Sequence, residues 1–228
     1  MSLIEIAKNY PTSKNDHGFI KFYDEYFNSF KDKKINILEI GIERGDSLRL
    51  WREYFTNANI CAIDLIDRNI NVNNTDILIG DQSDYSFLKK ITEKYHSFDI
   101  IIDDGSHQSK HIIASFNFLF PYLNDGGIYV VEDLQTSYQP RYGGSRFNLR
   151  KKKSSMNFLK ELVDSINYEH KDKPFFKRSK FNGKIRSIFF HQNIAFINKG
   201  ETEKYFFNEI KKNTFSDKIK KIISFFYS

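Results

Sequence analysis

Phe98-Asp99-Ile100-Ile101-Ile102-Asp103-Asp104-Gly105-Ser106-His107 is the stretch that decides how this chain is read. Three consecutive isoleucines predict a short strand buried on both faces, as in a parallel sheet. Two aspartates, a glycine, a serine and a histidine crowd the point where that strand stops. Ligands in open α/β sheets bind beyond the carboxyl ends of the strands. A second run, Ile128-Tyr129-Val130-Val131, ends in Glu132-Asp133, so two apolar segments each deliver acids at their C-terminal ends. Asp104, Glu132 and Asp133 offer only oxygen, and no cysteine or histidine cluster favours zinc. A hard ion is therefore expected: Mg²⁺, or else Mn²⁺ or Ca²⁺. His107, three residues past Asp104, is the candidate general base, since imidazoles as a class titrate near neutrality. His111, one helical turn on, either orients His107 or lines the pocket.

Upstream, Ile35-Asn36-Ile37-Leu38-Glu39-Ile40-Gly41 predicts a first strand that runs through Glu43-Arg44-Gly45-Asp46-Ser47 into a helix carrying Leu48, Trp51 and Tyr54. Strand, glycine turn and helix bring backbone close to a cofactor at a helix N-terminus. The spacing is not the dinucleotide Gly-x-Gly-x-x-Gly, because Glu43 stands at the middle glycine position. A second strand, Asn59–Ile63, ends at Asp64, placed to accept hydrogen bonds from ribose hydroxyls. A third, Asp76–Gly80, is closed by Asp81, which either meets an adenine amino group or finishes the turn. Ser83 is a plausible N-cap for the next helix. Strand and helix alternate from 35 to 133, which argues for a doubly wound, mainly parallel sheet.

The ends read differently. Residues 1–34 form a helical cap, in which Phe19, Phe22, Tyr23, Tyr26, Phe27 and Phe30 make a packing stripe. The polar break within it, with Thr12, Lys14 and His17, could close over a site. An α/β body spans 35–200, and 201–228 reads as a basic amphipathic C-terminal helix, suited to docking or oligomer contact more than to a membrane surface. Two β-rich runs, Ile185–Phe190 and Ile194–Ile197, flank His191-Gln192-Asn193 and predict an edge hairpin. The Gly/Tyr/Arg segment 135–146 is a candidate substrate loop, with Tyr138, Arg141 and Arg146 as acceptor contacts.

Composition bounds the rest. The 228 residues suit one decorated α/β domain. One cysteine, Cys61, excludes a disulfide framework. No apolar run approaches the roughly 20 residues of a membrane span, and no signal-peptide pattern opens the chain, so a cytoplasmic protein is expected. The net charge of +6 is uneven: residues 150–228 hold 19 Lys/Arg against 8 Asp/Glu, and the first 149 hold 16 against 21. This basic third is either a solvated face or an attraction for an anionic substrate. The run Arg150-Lys151-Lys152-Lys153 lacks the aromatic or groove-binding motifs of a nucleic-acid site, so no nucleic-acid partner is expected.

Taken together, Glu39-x-Gly41-x-x-x-Gly45-x-Ser47, Asp64, Asp103-Asp104-Gly105-Ser106-His107 and Glu132-Asp133-Leu134 resemble class I S-adenosylmethionine-dependent methyltransferases. The nearest group is the metal-dependent macrolide-sugar O-methyltransferases of the mycinamicin and tylosin type. The resemblance covers roughly residues 10 to 150, without the large N-terminal extension of the macrolide enzymes. It implies a Rossmann-like seven-stranded sheet whose last strand is antiparallel. It further implies that Asp104, Glu132 and Asp133 bind Mg²⁺, that His107 is the base, and that Glu39, Gly41, Gly45, Ser47, Asp64, Asp81 and Asp103 serve S-adenosylmethionine.

The expected activity is O-methylation of a sugar hydroxyl in capsule, surface-glycan or glycoside biosynthesis. The acceptor is a small molecule, phosphorylated or nucleotide-linked, and the enzyme is expected to be a homo-oligomer. Methylation of a nucleotide-activated capsule precursor at nitrogen or oxygen, and a non-catalytic cofactor-binding or membrane-docking subunit, are the rival readings. A nicotinamide dehydrogenase fits poorly, because it gives Glu132-Asp133 no task.

Overall fold

The computed structural model describes residues 1–151, 153–168 and 179–201. The helical tail expected at 201–228 lies outside these beyond residue 201. In chain order the helices are α1 (Leu3–Ala7), α2 (Ser13–Asp16), α3 (Ile20–Phe27), α4 (Asp46–Tyr54), α5 (Tyr85–Tyr95), α6 (Ser109–Leu119) and α7 (Ser155–Ile166). The strands are β1 (Asn36–Ile40), β2 (Asn59–Asp64), β3 (Thr75–Ile79), β4 (Phe98–Asp103), β5 (Leu123–Val131), β6 (Ile185–His191) and β7 (Ile194–Lys199). They form one sheet in the order β3-β2-β1-β4-β5-β7-β6. The first five pair in parallel and the hairpin strands β6 and β7 antiparallel. The mainly parallel sheet with its antiparallel edge hairpin is the fold expected above.

Period-2 alternation explains why the strands read as unbroken apolar runs. Ile37, Ile60, Ile100, Ile102, Ile128 and Val130 face one core layer, whereas Leu38, Cys61, Ile101, Tyr129 and Val131 face the other. α1, α3 and α4 cover the first layer with Leu3, Tyr23, Phe27 and Trp51; α5, α6 and α7 cover the second with Leu88, Phe116 and Leu159. Four members of the N-terminal aromatic stripe, Phe19, Tyr23, Phe27 and Phe30, are core residues of the first layer. Trp51 is fully buried, with ring centroids 5.1 Å from Tyr23 and 5.9 Å from Phe27. Trp51→Ala is expected to cost about 3–5 kcal/mol of stability, measured by urea unfolding.

Two local expectations are corrected. Asp84, not Ser83, caps α5, its carboxylate accepting from the backbone of Ser86 and Phe87. The Ser83 backbone and hydroxyl donate instead to Asp81 Oδ1 at 2.7 and 2.8 Å. β5 also begins at Leu123, ahead of the Ile128–Val131 run read from the sequence, because Leu123 pairs with Phe98 before a register shift restores the regular ladder from Ile128. The hairpin returns to the acid-bearing end of β5, where the Leu134 amide donates to Asn193 O at 2.9 Å.

Candidate active site

Successive strands diverge from β1 and β4 in opposite directions, which opens a cleft at their carboxyl ends. A cavity of about 470 Å³ lies there. Gly41 sits at its floor with φ +93°, and a Cβ there would lie 2.1 Å from Asp104 O, so only glycine fits. Gly45, at φ +76°, opens α4. Asp64 Oδ2 accepts from the Ile42 amide at 2.9 Å and Oδ1 from the Ile66 amide at 2.9 Å. The carboxylate therefore ties the glycine turn to the tip of β2. At Asp81, hydrogen bonds from the Ser83 backbone and hydroxyl hold the carboxyl below the usual range.

The acids are sorted by strand alternation. Asp104, His107 and Asp133 each present a ligand atom, all within 4.8 Å of one another. His107 Nε2 lies 3.5 Å from Asp133 Oδ2, and His17 Nδ1 lies 3.5 Å from Asp133 Oδ1. His107 and Asp133 both adopt the left-handed backbone conformation, at φ 55° and 53°, strain that aims two side chains at one point. Two carboxylates and an imidazole at this separation fit a divalent cation with a preference for oxygen.

Behind them lies a buried ionic cluster. Lys14, 1% exposed on α2, reaches Asp104 Oδ2 at 2.7 Å, Glu132 Oε1 at 2.6 Å and Glu39 Oε1 at 3.4 Å. The Tyr23 hydroxyl donates to the same Glu132 oxygen, and the Ser47 hydroxyl donates to Glu39 Oε2 at 3.1 Å. Burial, reinforced by Asp104, pushes Glu132 above the usual carboxyl range despite the opposing ammonium. For Lys14, burial works against the charge, but Asp104, Glu132 and Glu39 outweigh it and keep the side chain protonated. Asp103 faces the opposite layer, where Ser115 Oγ donates at 2.6 Å and Gln82 Nε2 at 3.0 Å; burial raises its pKa.

Of the residues singled out from the sequence, Thr12, Lys14, His17, Gly41, Ser47, Asp64, Asp81, Asp104, His107, His111 and Asp133 line the cavity. Glu39, Asp103 and Glu132 do not. Glu39 and Glu132 are buried against Lys14, and Asp103 supports the turn from beneath. Gly45 shapes the entry to α4 without lining the cavity. His111 is turned away from orienting His107: its Nδ1 pairs with Ser106 Oγ at 2.9 Å. Tyr138, Arg141 and Arg146 fall outside the cavity, with Arg141 stacked 4.7 Å over the Tyr142 ring. Within that segment Gln135 Nε2 donates to Asp133 Oδ1 at 3.0 Å, and the Tyr142 ring lies 6.4 Å from His107.

Sequence reasoning missed Arg44, Arg68 and Gln82 at the cavity. It also missed Tyr23 as the buried partner of Glu132. Arg44 was visible as a base inside the glycine turn; Gln82, which accepts from the Ser106 amide at 2.8 Å, gave no signal of its own.

No protein-family model matches the chain. The mycinamicin VI 2''-O-methyltransferase of Micromonospora griseorubida is 33% identical over 212 residues, covering 88% of this chain and 53% of the relative. The 8-demethyl-8-alpha-L-rhamnosyl tetracenomycin-C 2'-O-methyltransferase of Streptomyces olivaceus is 35% identical over 192 residues, 80% of this chain and 50% of the relative. This chain thus spans about half the length of the curated relatives it matches. A solved structure of the MycE methyltransferase of the mycinamycin biosynthetic pathway, in complex with Mg and SAH, superposes with a TM-score of 0.84 at 33% identity. It covers 90% of this chain and 56% of that one. By sequence and by architecture, this chain has the Rossmann-like methyltransferase fold and resembles the macrolide-sugar O-methyltransferases.

Proposed function

We propose that the chain is a divalent-metal-dependent methyltransferase that transfers the methyl group of S-adenosylmethionine to a sugar hydroxyl of a small glycosylated molecule. The observation that carries this reading is the convergence of Asp104, His107 and Asp133 on one point of the cavity that the Gly41 turn and Asp64 also line. The relatives named above act on sugar-bearing small molecules, and the similar solved structure holds Mg and SAH. Nothing in the comparisons speaks for the capsule or surface-glycan setting expected from the sequence.

When bound, S-adenosylmethionine supplies the methyl group as an electrophile, and a divalent ion held by Asp104 and Asp133, with Glu132 behind them, supplies positive charge beside the acceptor oxygen. The chain's own residues do the rest. The Gly41–Gly45 turn admits the cofactor close to the backbone, and the Asp64 carboxylate offers acceptors for ribose hydroxyls. His107 takes the acceptor's proton at Nε2, where the resulting imidazolium faces Asp133 Oδ2 at 3.5 Å. Residues 1–34 act as the cap, since Thr12, Lys14 and His17 close one side of the cavity. Arg44 and Arg68 are the guanidinium groups at the cavity, the place where an anionic acceptor would be held; Arg141 and Arg146 would take no part.

The test is mass spectrometry of rhamnosylated and other deoxysugar glycosides, and of nucleotide-linked sugars, incubated with isotopically labelled S-adenosylmethionine. One labelled methyl on oxygen is expected, and methyl gain on nitrogen alone would reject the proposal. Stripping with EDTA is expected to abolish turnover and added Mg²⁺ to restore it; turnover indifferent to EDTA would remove the metal.

A further inference from the structure

Lys14 stands apart from every other candidate acceptor contact because three carboxylates surround its buried ammonium. Those carboxylates, Glu39, Asp104 and Glu132, come from the carboxyl ends of three adjacent strands, whereas Lys14 arrives from a four-residue helix about 90 and 118 positions away from Asp104 and Glu132. The ammonium takes a single oxygen of each of the last two, Asp104 Oδ2 and Glu132 Oε1. Among the described residues no hydrogen bond reaches the second oxygen of either. Asp104 belongs at the same time to the group that can hold a metal ion. A fixed cation and a candidate ion site therefore draw on the same carboxylate.

We propose that Lys14 is a resident counter-cation of the metal centre, sharing Asp104 with the divalent ion and thereby weakening the ion's hold. This rests on the metal-dependent reading given above. Two cations on a common carboxylate repel each other, and the low dielectric of a mostly buried site strengthens that repulsion. The same ammonium keeps three carboxylates, two of them buried, from facing one another when no ion is bound, a state in which an unpaired buried charge is strongly destabilising. Lys14 so lets the ion-free protein stay folded and lets the ion come and go. It also makes the Thr12–His17 segment answer to the ion, because the lysine that senses it is carried there. Lys14 acts here as a positioning residue rather than as an acceptor contact.

The experiment compares wild type, Lys14→Met and Lys14→Arg, each purified in Mg²⁺ and then stripped with EDTA. Mg²⁺ affinity is read by calorimetric titration, and melting temperature is read with and without the ion. Lys14→Met is expected to bind Mg²⁺ at least about tenfold more tightly than wild type, about 1.4 kcal/mol. It is expected to melt lower in EDTA and to regain most of the difference in Mg²⁺. Lys14→Arg, which keeps the charge, is expected to bind the ion as wild type does. A merely structural lysine would leave the affinity unchanged or weaken it, and either result for Lys14→Met overturns the proposal. So does a Lys14→Met protein that fails to fold even in saturating Mg²⁺, since the ion should stand in for the lost charge. Absence of Mg²⁺ binding by wild type would instead sink the metal-dependent reading, and this proposal with it.

Discussion

A His107→Ala protein is expected to fold, to bind S-adenosylhomocysteine as wild type does, and to lose methyl transfer by about 10²–10⁴-fold, the range for removal of a positioned general base. The imidazole is mostly buried between Asp133 and the Tyr142 ring, and its backbone adopts a left-handed conformation. Removing the side chain leaves no hydrogen-bonded core group unsatisfied. Calorimetric titration separates two roles for it. A base leaves Mg²⁺ affinity intact in the variant, whereas a ligand takes the affinity with it. Single-turnover rates close to wild type would rule out the base.

The second large effect is expected at Gly41, where no side chain has room. A Cβ would meet the Asp104 carbonyl oxygen and carbon at 2.1 and 2.7 Å, both backbone atoms, in a conformation with φ +93° that L-residues rarely adopt. Gly41→Ala must therefore part the β1 turn from the Asp104 turn. Backbone strain and overpacking together are expected to cost about 3–4 kcal/mol, read by denaturant unfolding. Because the two turns carry the cofactor floor and the first acid, affinity for both S-adenosylhomocysteine and Mg²⁺ is expected to fall together. Loss of one without the other would show that the turns move independently.

β2, β4 and β5 could be read from the chain because each is an apolar run that ends in an acid, and because a sheet covered on both faces needs no polar alternation. What alternation did decide, unseen in the sequence, is which acid of each pair faces the site. Asp103 follows Ile101 by two positions and so shares its layer, away from the cavity, where Ser115 and Gln82 satisfy it. Glu132 follows Val130 and so turns toward Tyr23 and Lys14, while Asp133 kinks into the left-handed region and reaches the cavity. Lys14 was legible only as a polar residue in a break. Its burial depends on contacts across some 90 and 118 positions, and no local pattern encodes these. The basic residues Arg141 and Arg146 looked promising for the opposite reason, since charge in a glycine-rich loop is visible whether or not the loop turns inward.

The hydrogen bond from the Leu134 amide to Asn193 O has an evolutionary reading. It pinches together the two ends of a long excursion that leaves β5 and comes back to pair with it through β7. Within the excursion α7 and β6 are packed into the fold, so the loop that precedes α7 is the part that can change without disturbing the strands on either side. Its Tyr142 overhangs His107. Taste for one acceptor over another can therefore drift in that excursion while the chemistry beneath it keeps its footing.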